Sequence, residues 1–289
     1  MLSSISSKIL FNNTTKRLSA IIEAQEAVEI SFRLLVYYFG FSKTQVLADY
    51  PIHNYDREIF ENSVLRLLAH EPIQYVLGEA EFCDLIFKVN PAVLIPRPET
   101  EELVRIVLKD SHSIDHANVL DLGTGSGCIP ITIKKNKPLF EIFAADISPN
   151  ALSLAHENAQ IHHIKINFIE ADMLTIQPFE QLPMLDIIIS NPPYVLPTEK
   201  LQMLPHVLDF EPHLALFVPQ NDPLKYYRAA MEIAHLKLKP KGRIYFEINQ
   251  TLGNEMKELM LGMNFTTIEI IQDMNNKVRF AKGVFNSSL

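Results

Sequence analysis

From Pro98 to the end of the chain, short runs of β-branched and aromatic residues alternate with segments of helical length, and this alternation constrains the fold more than any other feature. Alternating strands and helices build a mainly parallel sheet covered on both faces, because each crossover between parallel strands is long enough to hold a helix. The pattern predicts seven strands, at 118–122, 141–146, 165–170, 185–190, 242–248, 266–271 and 277–281. The fixed φ of Pro98 suits a first helical position, and Glu99, Glu101 and Glu102 complement the positive end of that helix.

The first part of the chain reads differently. Across 14–72 the residues Leu18, Ile21, Ile22, Val28, Leu34 and Leu35 form an irregular apolar stripe, with Gly40 as a C-terminal stop. A second helix is expected from an Asp56 cap, with Ile59/Phe60, Val64/Leu65 and Leu67/Leu68 repeating at three to four residues and Pro72 ending it. Between the two parts, at 79–95, Phe82, Leu85, Phe87, Val89, Val93 and Leu94 are interspersed with polar residues, and Asn90-Pro91 marks a turn. This predicts a linking hairpin.

Composition narrows the setting. With 289 residues, 47% of them hydrophobic, the chain can bury a substantial core in one large or two modest domains. Its longest apolar stretch, 34–41 with Gly40 inside, is far too short to span a bilayer. The Ser-rich residues 1–20 carry Lys8, Lys16 and Arg17 with no acid before Glu23, a pattern shared with organellar transit peptides but equally with a lead-in to a first helix. Only Cys83 and Cys128 are present, without a CxxC, so a reducing cytoplasm fits and neither disulfides nor zinc are implied. A formal charge of −8 disfavours tight nonspecific binding to nucleic acid.

The strand 118–122 runs into Gly123-Thr124-Gly125-Ser126-Gly127 and then a helix, so the backbone there can pass close to a ligand. The spacing is neither the dinucleotide fingerprint nor a phosphate loop. A second strand ends at Asp146, about twenty residues on, where a carboxylate would accept from both hydroxyls of a ribose. A third leads to Asp172 and Met173, which would take an adenine amino group and pack on its ring. Asp121, at the loop entrance, would face an ammonium. Ribose, adenine and a cationic amino-acid tail without phosphate describe S-adenosylmethionine. The alternative, an NAD-binding dehydrogenase with an altered glycine loop, has no evident use for the tetrapeptide ending the fourth strand.

That tetrapeptide is Asn191-Pro192-Pro193-Tyr194. A Pro-rich turn after a buried strand is the plain reading. The chemical reading is methyl transfer onto a planar NH2 group, whose delocalised lone pair makes it a poor nucleophile until two acceptors orient its N–H bonds. The Asn191 side-chain oxygen and the Pro192 carbonyl would be those acceptors, on a backbone restricted in φ by successive prolines, with Tyr194 covering the flat face of the substrate group. Fixed carbonyl dipoles would stabilise the charge growing on those N–H bonds.

With these residues in hand, the chain resembles the release-factor glutamine methyltransferases of the HemK/PrmC type from about Pro72 to Phe280. The likeness is carried by 72–78 (PIQYVLG), 94–101 (LIPRPETE), 121–127, 146–152, 191–194, Phe210-Glu211-Pro212 and Phe246-Glu247-Ile248. It implies an α/β class I S-adenosylmethionine-dependent methyltransferase, Rossmann-like, with a small all-α N-terminal domain joined by a β-hairpin, divided at 1–75, 76–97 and 98–289. It also implies a protein-(glutamine-N(5)) methyltransferase acting on the Gly-Gly-Gln glutamine of class I peptide chain release factors. By the resemblance, 123–127, Asp146 and Met173 contact the cofactor, with Asn191 beside it; 191–194 hold the glutamine, and the helical domain helps dock the release factor. Asn249, Pro223 and Met173 depart from the family's usual Gly, Gly and aromatic. A ribosomal-protein glutamine or a nucleic-acid adenine would suit the same clamp, and a noncatalytic module retaining only the fold also stays open. Arg97 and Glu99 could brace the site or organise a helix start; His112 and His116 read as solvated surface, and Cys128 as a small packing residue.

Overall fold

Why the loops following 118–122, 141–146 and 185–190 meet is a matter of strand order. The structure, a computed structural model, describes residues 5–53 and 56–286 and divides into two units.

The first unit comprises the chain through Gly78 together with 205–210. It contains β1 (Ile5–Ser6), α1 (Ser7–Leu18), α2 (Ala24–Phe39), α3 (Lys43–Leu47), β2 (Pro51–Ile52), α4 (Arg57–Leu68) and α5 (Ile73–Leu77). Leu18, Leu34, Leu35, Phe60 and Val64 are at the centre of its apolar core. Gly40 ends α2 in the left-handed conformation, φ 65°, where a Cβ would be strained. The Asp56 carboxylate accepts from the Glu58 and Ile59 N–H groups at 3.0 and 3.1 Å, capping α4. Pro72 does not end that helix, which stops four residues earlier at Leu68. Pro72 is instead the N-cap of α5, a role open to it because a cap needs no N–H donor.

The second unit opens with the hairpin β3 (Glu79–Phe82) and β4 (Leu85–Lys88). Its turn is at Cys83 and Asp84, both at positive φ, as a two-residue hairpin loop requires. Asn90-Pro91 forms a separate later turn, with the Asn90 side chain accepting from the Ala92 N–H at 2.9 Å. The chain continues through α6 (Pro98–Asp110), β5 (Asn118–Leu122), α7 (Cys128–Asn136), β6 (Glu141–Asp146), α8 (Pro149–Ile161), β7 (Asn167–Glu170) and β8 (Leu185–Ser190). After α9 (Pro205–Phe210), which groups with the first unit, come α10 (His213–Leu216), α11 (Lys225–Lys237), β9 (Leu238–Glu247), α12 (Gly253–Gly262), β10 (Phe265–Gln272) and β11 (Val278–Phe285). The seven predicted strands all form, but β9 and β11 are longer than their apolar runs. β11 pairs with β10 and β9 on its two sides, and that ladder continues to Val284 and Phe285.

The sheet order is β10-β11-β9-β8-β5-β6-β7, parallel except for the pairings of β11. β5 is central. The chain runs outward through β6 to β7, then returns to place β8 on the other side of β5, so the order reverses there. In open sheets of this kind ligands bind beyond the carboxyl ends of the strands at that reversal. The strands flanking it are buried on both faces: Ile187 and Ile189 pack with α6 and α7, and Leu185 and Ile188 with α11, so an unbroken apolar run is needed rather than alternation with polar residues. The class I methyltransferase fold read from the sequence is therefore present. Among the described residues no helix is long and apolar enough to cross a membrane.

Candidate active site

At the reversal point lies a cavity of about 480 Å³, a volume within the range of small-molecule sites. Its walls include Gly123 to Ser126, Asp146, Asp172, Met173, Asn191 and Pro193, joined by Arg97, Thr100 and Tyr226. Strand register explains the convergence, since Leu122 pairs with Ala145 on one side and with Ser190 on the other. The Ser190 hydroxyl donates to the Leu122 carbonyl at 2.7 Å, tying the start of the Asn-Pro-Pro-Tyr bend to the start of the glycine loop.

The loop is held by its own backbone. Gly123 and Thr124 N–H groups donate to the Ala145 carbonyl at 2.9 and 3.0 Å, and Gly127 N–H to the Thr124 carbonyl at 2.9 Å. Gly123, Gly125 and Gly127 all have positive φ, at 76°, 55° and 80°. Gly127, expected to contact the cofactor, does not line the cavity; it is the N-cap of α7, against Ile131 and Ala155.

Asp146 sits at the cavity wall with one carboxylate oxygen accepting from Gly125 N–H at 2.8 Å and the other from Ser148 N–H at 2.9 Å. Each oxygen retains a lone pair, so two neighbouring hydroxyls of a ribose fit it. Burial raises its pKa, and the backbone N–H groups of Ser148, Gly125 and Ile147 oppose that rise. Asp172 is held by the Leu174 N–H at 2.9 Å. Met173 packs on the core while lining the cavity. Tyr226, which the sequence did not single out, lines the same region, and burial and the Asp172 charge raise its pKa.

Asp121 is fully buried behind the loop rather than on the cavity surface. Its two oxygens and the hydroxyls of Thr124 and Ser126 have no hydrogen-bond partner among the described residues. Unpaired hydroxyls on the loop, backed by an unpaired buried carboxylate, suit a ligand with a cationic end, which is the fit expected of S-adenosylmethionine. Burial lifts the Asp121 pKa to about 7; the nearby Thr124 hydroxyl opposes this without reaching hydrogen-bond geometry, and the Asp146 charge adds to it. In an unfolded chain the group titrates near 4. Between about pH 4 and about pH 7 the folded state therefore holds the extra proton, so stability of the ligand-free chain falls as pH rises through that window and levels off above it. A cation at the loop favours the ionised carboxylate. Affinity for S-adenosylmethionine, measured by calorimetry, is expected to climb from about pH 6 to about pH 8 and to flatten in Asp121→Asn; an equally steep profile in that variant assigns the effect to another group.

The tetrapeptide divides its side chains between two environments. Asn191 and Pro193 line the cavity, and Pro192 is buried, with nothing among the described residues donating to its carbonyl. Tyr194 departs from expectation. Its hydroxyl donates to Glu247 Oε1 at 3.0 Å and its ring packs on the core, so its side chain is not on the cavity wall to cover a substrate. Pro193, not Tyr194, lines the cavity. The Asn191 Nδ2 donates to Thr100 Oγ1 at 3.1 Å, and the Thr100 hydroxyl donates to Glu247 Oε2 at 2.6 Å. Thr100 and Glu247 escaped the sequence reading as functional residues, although a glutamate ending an otherwise apolar strand is an unusual residue to bury.

The remaining wall is braced by charge. Arg97 forms an ion pair with the buried Glu211, whose other oxygen accepts from Ile95 N–H at 3.2 Å. Asn249 is buried and donates from Nδ2 to the Tyr194 carbonyl at 3.2 Å and to the Glu199 carboxylate, while its oxygen accepts from the N–H and hydroxyl of Thr251. A glycine there could make none of these side-chain bonds. His112 and His116 are exposed. Cys128 is buried beside the cavity, and burial pushes its thiol up to about 12. Among the described residues no group of three or more His, Cys, Asp or Glu side chains could hold a metal.

A family model described as the Methyltransferase small domain matches residues 100–208, and one described as the PrmC N-terminal domain matches residues 10–78. The release factor glutamine methyltransferase of Flavobacterium psychrophilum is 40% identical over 270 residues, covering 92% of this chain and 94% of its own. That of Bacteroides thetaiotaomicron is 45% identical over 219 residues, covering 76% and 78%. Among solved structures, the T. thermophilus 16S rRNA N2 G1207 methyltransferase in complex with AdoMet and guanosine matches with a TM-score of 0.52 at 14% identity, covering 72% of this chain and 50% of that one, a likeness of fold.

Proposed function

The chain belongs to the release factor glutamine methyltransferase family, whose cofactor is S-adenosylmethionine, and we propose that it methylates the side-chain amide of the Gly-Gly-Gln glutamine in class I peptide chain release factors. One observation carries the assignment of residues. Asn191 lines the cavity beside Gly125 with its Nδ2 already donating to Thr100, which leaves Oδ1 as an acceptor for substrate.

When bound, S-adenosylmethionine supplies a methyl group made electrophilic by its sulfonium. The glycine loop would hold its amino-acid end, with the buried Asp121 carboxylate acting on it only through its charge, Asp146 would hold its ribose, and Asp172 with Met173 its adenine. Asn191 Oδ1 and the Pro192 carbonyl would each accept one N–H of the glutamine amide, so that its nitrogen faces the methyl carbon. Pro193 would pack against the flat amide. As the nitrogen attacks, its hydrogens become more positive, and the two fixed carbonyl dipoles stabilise that charge more strongly than in the bound substrate. No strong base is needed to begin the transfer: as the N–C bond forms, the C–S bond breaks with its electron pair going to sulfur, which leaves as a neutral thioether, and the methylated nitrogen gives up one of its two protons to water.

The helical N-terminal residues 1–75 would help dock the release factor, with 76–97 as linker and 98–289 as the transferase domain. A cytoplasmic setting without stable nucleic-acid binding completes the proposal, supported by two free cysteines and a formal charge of −8. The test is methyl incorporation from labelled S-adenosylmethionine into a class I release factor and into its Gly-Gly-Ala variant. Label is expected in the first alone. Equal labelling of both rejects the substrate assignment.

A further inference from the structure

The two ends of the Asn191–Tyr194 bend are fastened to a single carboxylate that does not line the cavity. Glu247, at the end of β9, is 1% exposed. It accepts from the Tyr194 hydroxyl on one oxygen and from the Thr100 hydroxyl on the other, and Thr100 in turn accepts from Asn191. Register explains the meeting: Ser190 pairs with Phe246, so Asn191, just past the end of β8, lies next to Glu247, the last residue of β9, which still pairs with Phe280 on its other side. Thr100 reaches them from the first turn of α6, where Pro98 sets the start of the helix.

The direction of the hydrogen bonds in this chain matters more than their number. Burial raises the Glu247 pKa, and the Thr100 and Tyr194 hydroxyls and the Arg279 charge oppose that rise; in its ionised form the carboxylate can only accept. The Thr100 hydroxyl has one proton, and the 2.6 Å contact commits it to Glu247. The threonine oxygen can then only accept from residue 191, so the carboxamide must present NH2 to it and keep its oxygen for the cavity. Without that commitment a hydroxyl can donate as readily as accept, and the Asn191 amide could turn over. A flipped amide would direct its own N–H bonds at the N–H bonds of the substrate.

We propose that Glu247, acting through the Thr100 hydroxyl, is a positioning residue that fixes which way round the Asn191 carboxamide faces. The inference rests on the reading that Asn191 Oδ1 accepts from the substrate amide. The Tyr194 hydroxyl anchors the far end of the bend to the same group, so one carboxylate sets both the amide direction and the path of the backbone between.

The test compares Thr100→Val, Thr100→Ser and Asn191→Ala with the combined Thr100→Val/Asn191→Ala chain, all full length. Kinetics are measured with S-adenosylmethionine and a release factor, and cofactor affinity is measured separately. Thr100→Val is expected to lower kcat at least about tenfold with cofactor affinity within about twofold of wild type, because it removes the direction-setting hydroxyl. Thr100→Ser, which keeps the hydroxyl, is expected to restore most of the rate. On the Asn191→Ala background Thr100→Val should lower kcat by less than about twofold, since the group it orients is gone. A wild-type kcat in Thr100→Val overturns the inference, as does a loss equally large with and without Asn191. Should Thr100→Val fail to fold, Thr100→Ala is judged by the same criteria. A wild-type rate in Asn191→Ala instead rejects the acceptor reading, whereas a normal Thr100→Val beside a crippled Asn191→Ala rejects this inference alone.

Discussion

Asn191→Ala is expected to lower kcat by about 100- to 1,000-fold, the scale seen when a single aligned polar group at a reacting centre is removed. Affinity for S-adenosylmethionine should move by less than about threefold, because alanine leaves the glycine loop, Asp146 and Asp172 in place. The lost oxygen acts in two ways. It orients the amide before reaction, and it meets N–H bonds that become more positive as the nitrogen gives up its lone pair. Only the second effect grows toward the transition state, so the loss should appear in kcat more than in KM. Single-turnover measurement with saturating cofactor separates the chemical step from product release. An alanine variant with an unchanged chemical rate removes Asn191 from the reaction.

Gly127→Ala should damage the protein from the opposite direction, through backbone and packing. Gly127 has φ +80°, and a Cβ there would lie 3.1 Å from Ile131 Cδ1, 3.2 Å from Ala155 Cβ and 3.4 Å from Ala155 Cα. The left-handed conformation costs an ordinary residue about 1–2 kcal/mol, and overpacking adds about 1–3 kcal/mol. Ile131 can yield at its flexible end, but Ala155 presents backbone. A destabilisation of about 2–5 kcal/mol is expected, together with a loss of cofactor affinity as the loop shifts away from Ala145 and Asp146. Gly125→Ala is the contrasting variant. Its Cβ would meet nothing within 4 Å in the protein, so strain remains but packing does not, and affinity should suffer more than stability. Chemical unfolding and calorimetry on both variants check the distinction; equal stabilities would show that the contact with Ala155 relaxes freely.

The parts legible in the sequence are those written in local patterns. The central parallel strands were visible because buried parallel strands need continuous apolar runs, as in Leu185 to Ser190, while β10 and β11 were marked by β-branched and aromatic residues. The Asp56 cap and the Gly40 stop were visible because each meets a local backbone demand. Pro72 was misplaced because a proline marks a break without saying whether one helix ends or another begins. The hairpin turn was obscured because Cys83-Asp84 takes a conformation usually filled by Asn-Gly, while Asn90-Pro91 looked more like punctuation. In the site, Gly123 to Ser126, Asp146, Asp172, Met173, Asn191 and Pro193 all reach one cavity. The Tyr194 side chain and Asp121 do not line it, because each is turned into the protein.

By itself, then, the sequence determined the alternation of strand and helix, the glycine loop and the rigid Asn-Pro-Pro-Tyr bend, since these depend on residue type, φ preference and spacing within a few positions. It also determined the family, through motifs long enough to be specific. Tertiary structure alone decided that β8 returns beside β5, that Tyr194 turns toward Glu247, and that Thr100 stands between that carboxylate and Asn191. The reason is separation along the chain. Thr100, Asn191 and Glu247 come from a helix start, a loop and a strand end, and only strand order and register bring such positions within hydrogen-bonding distance.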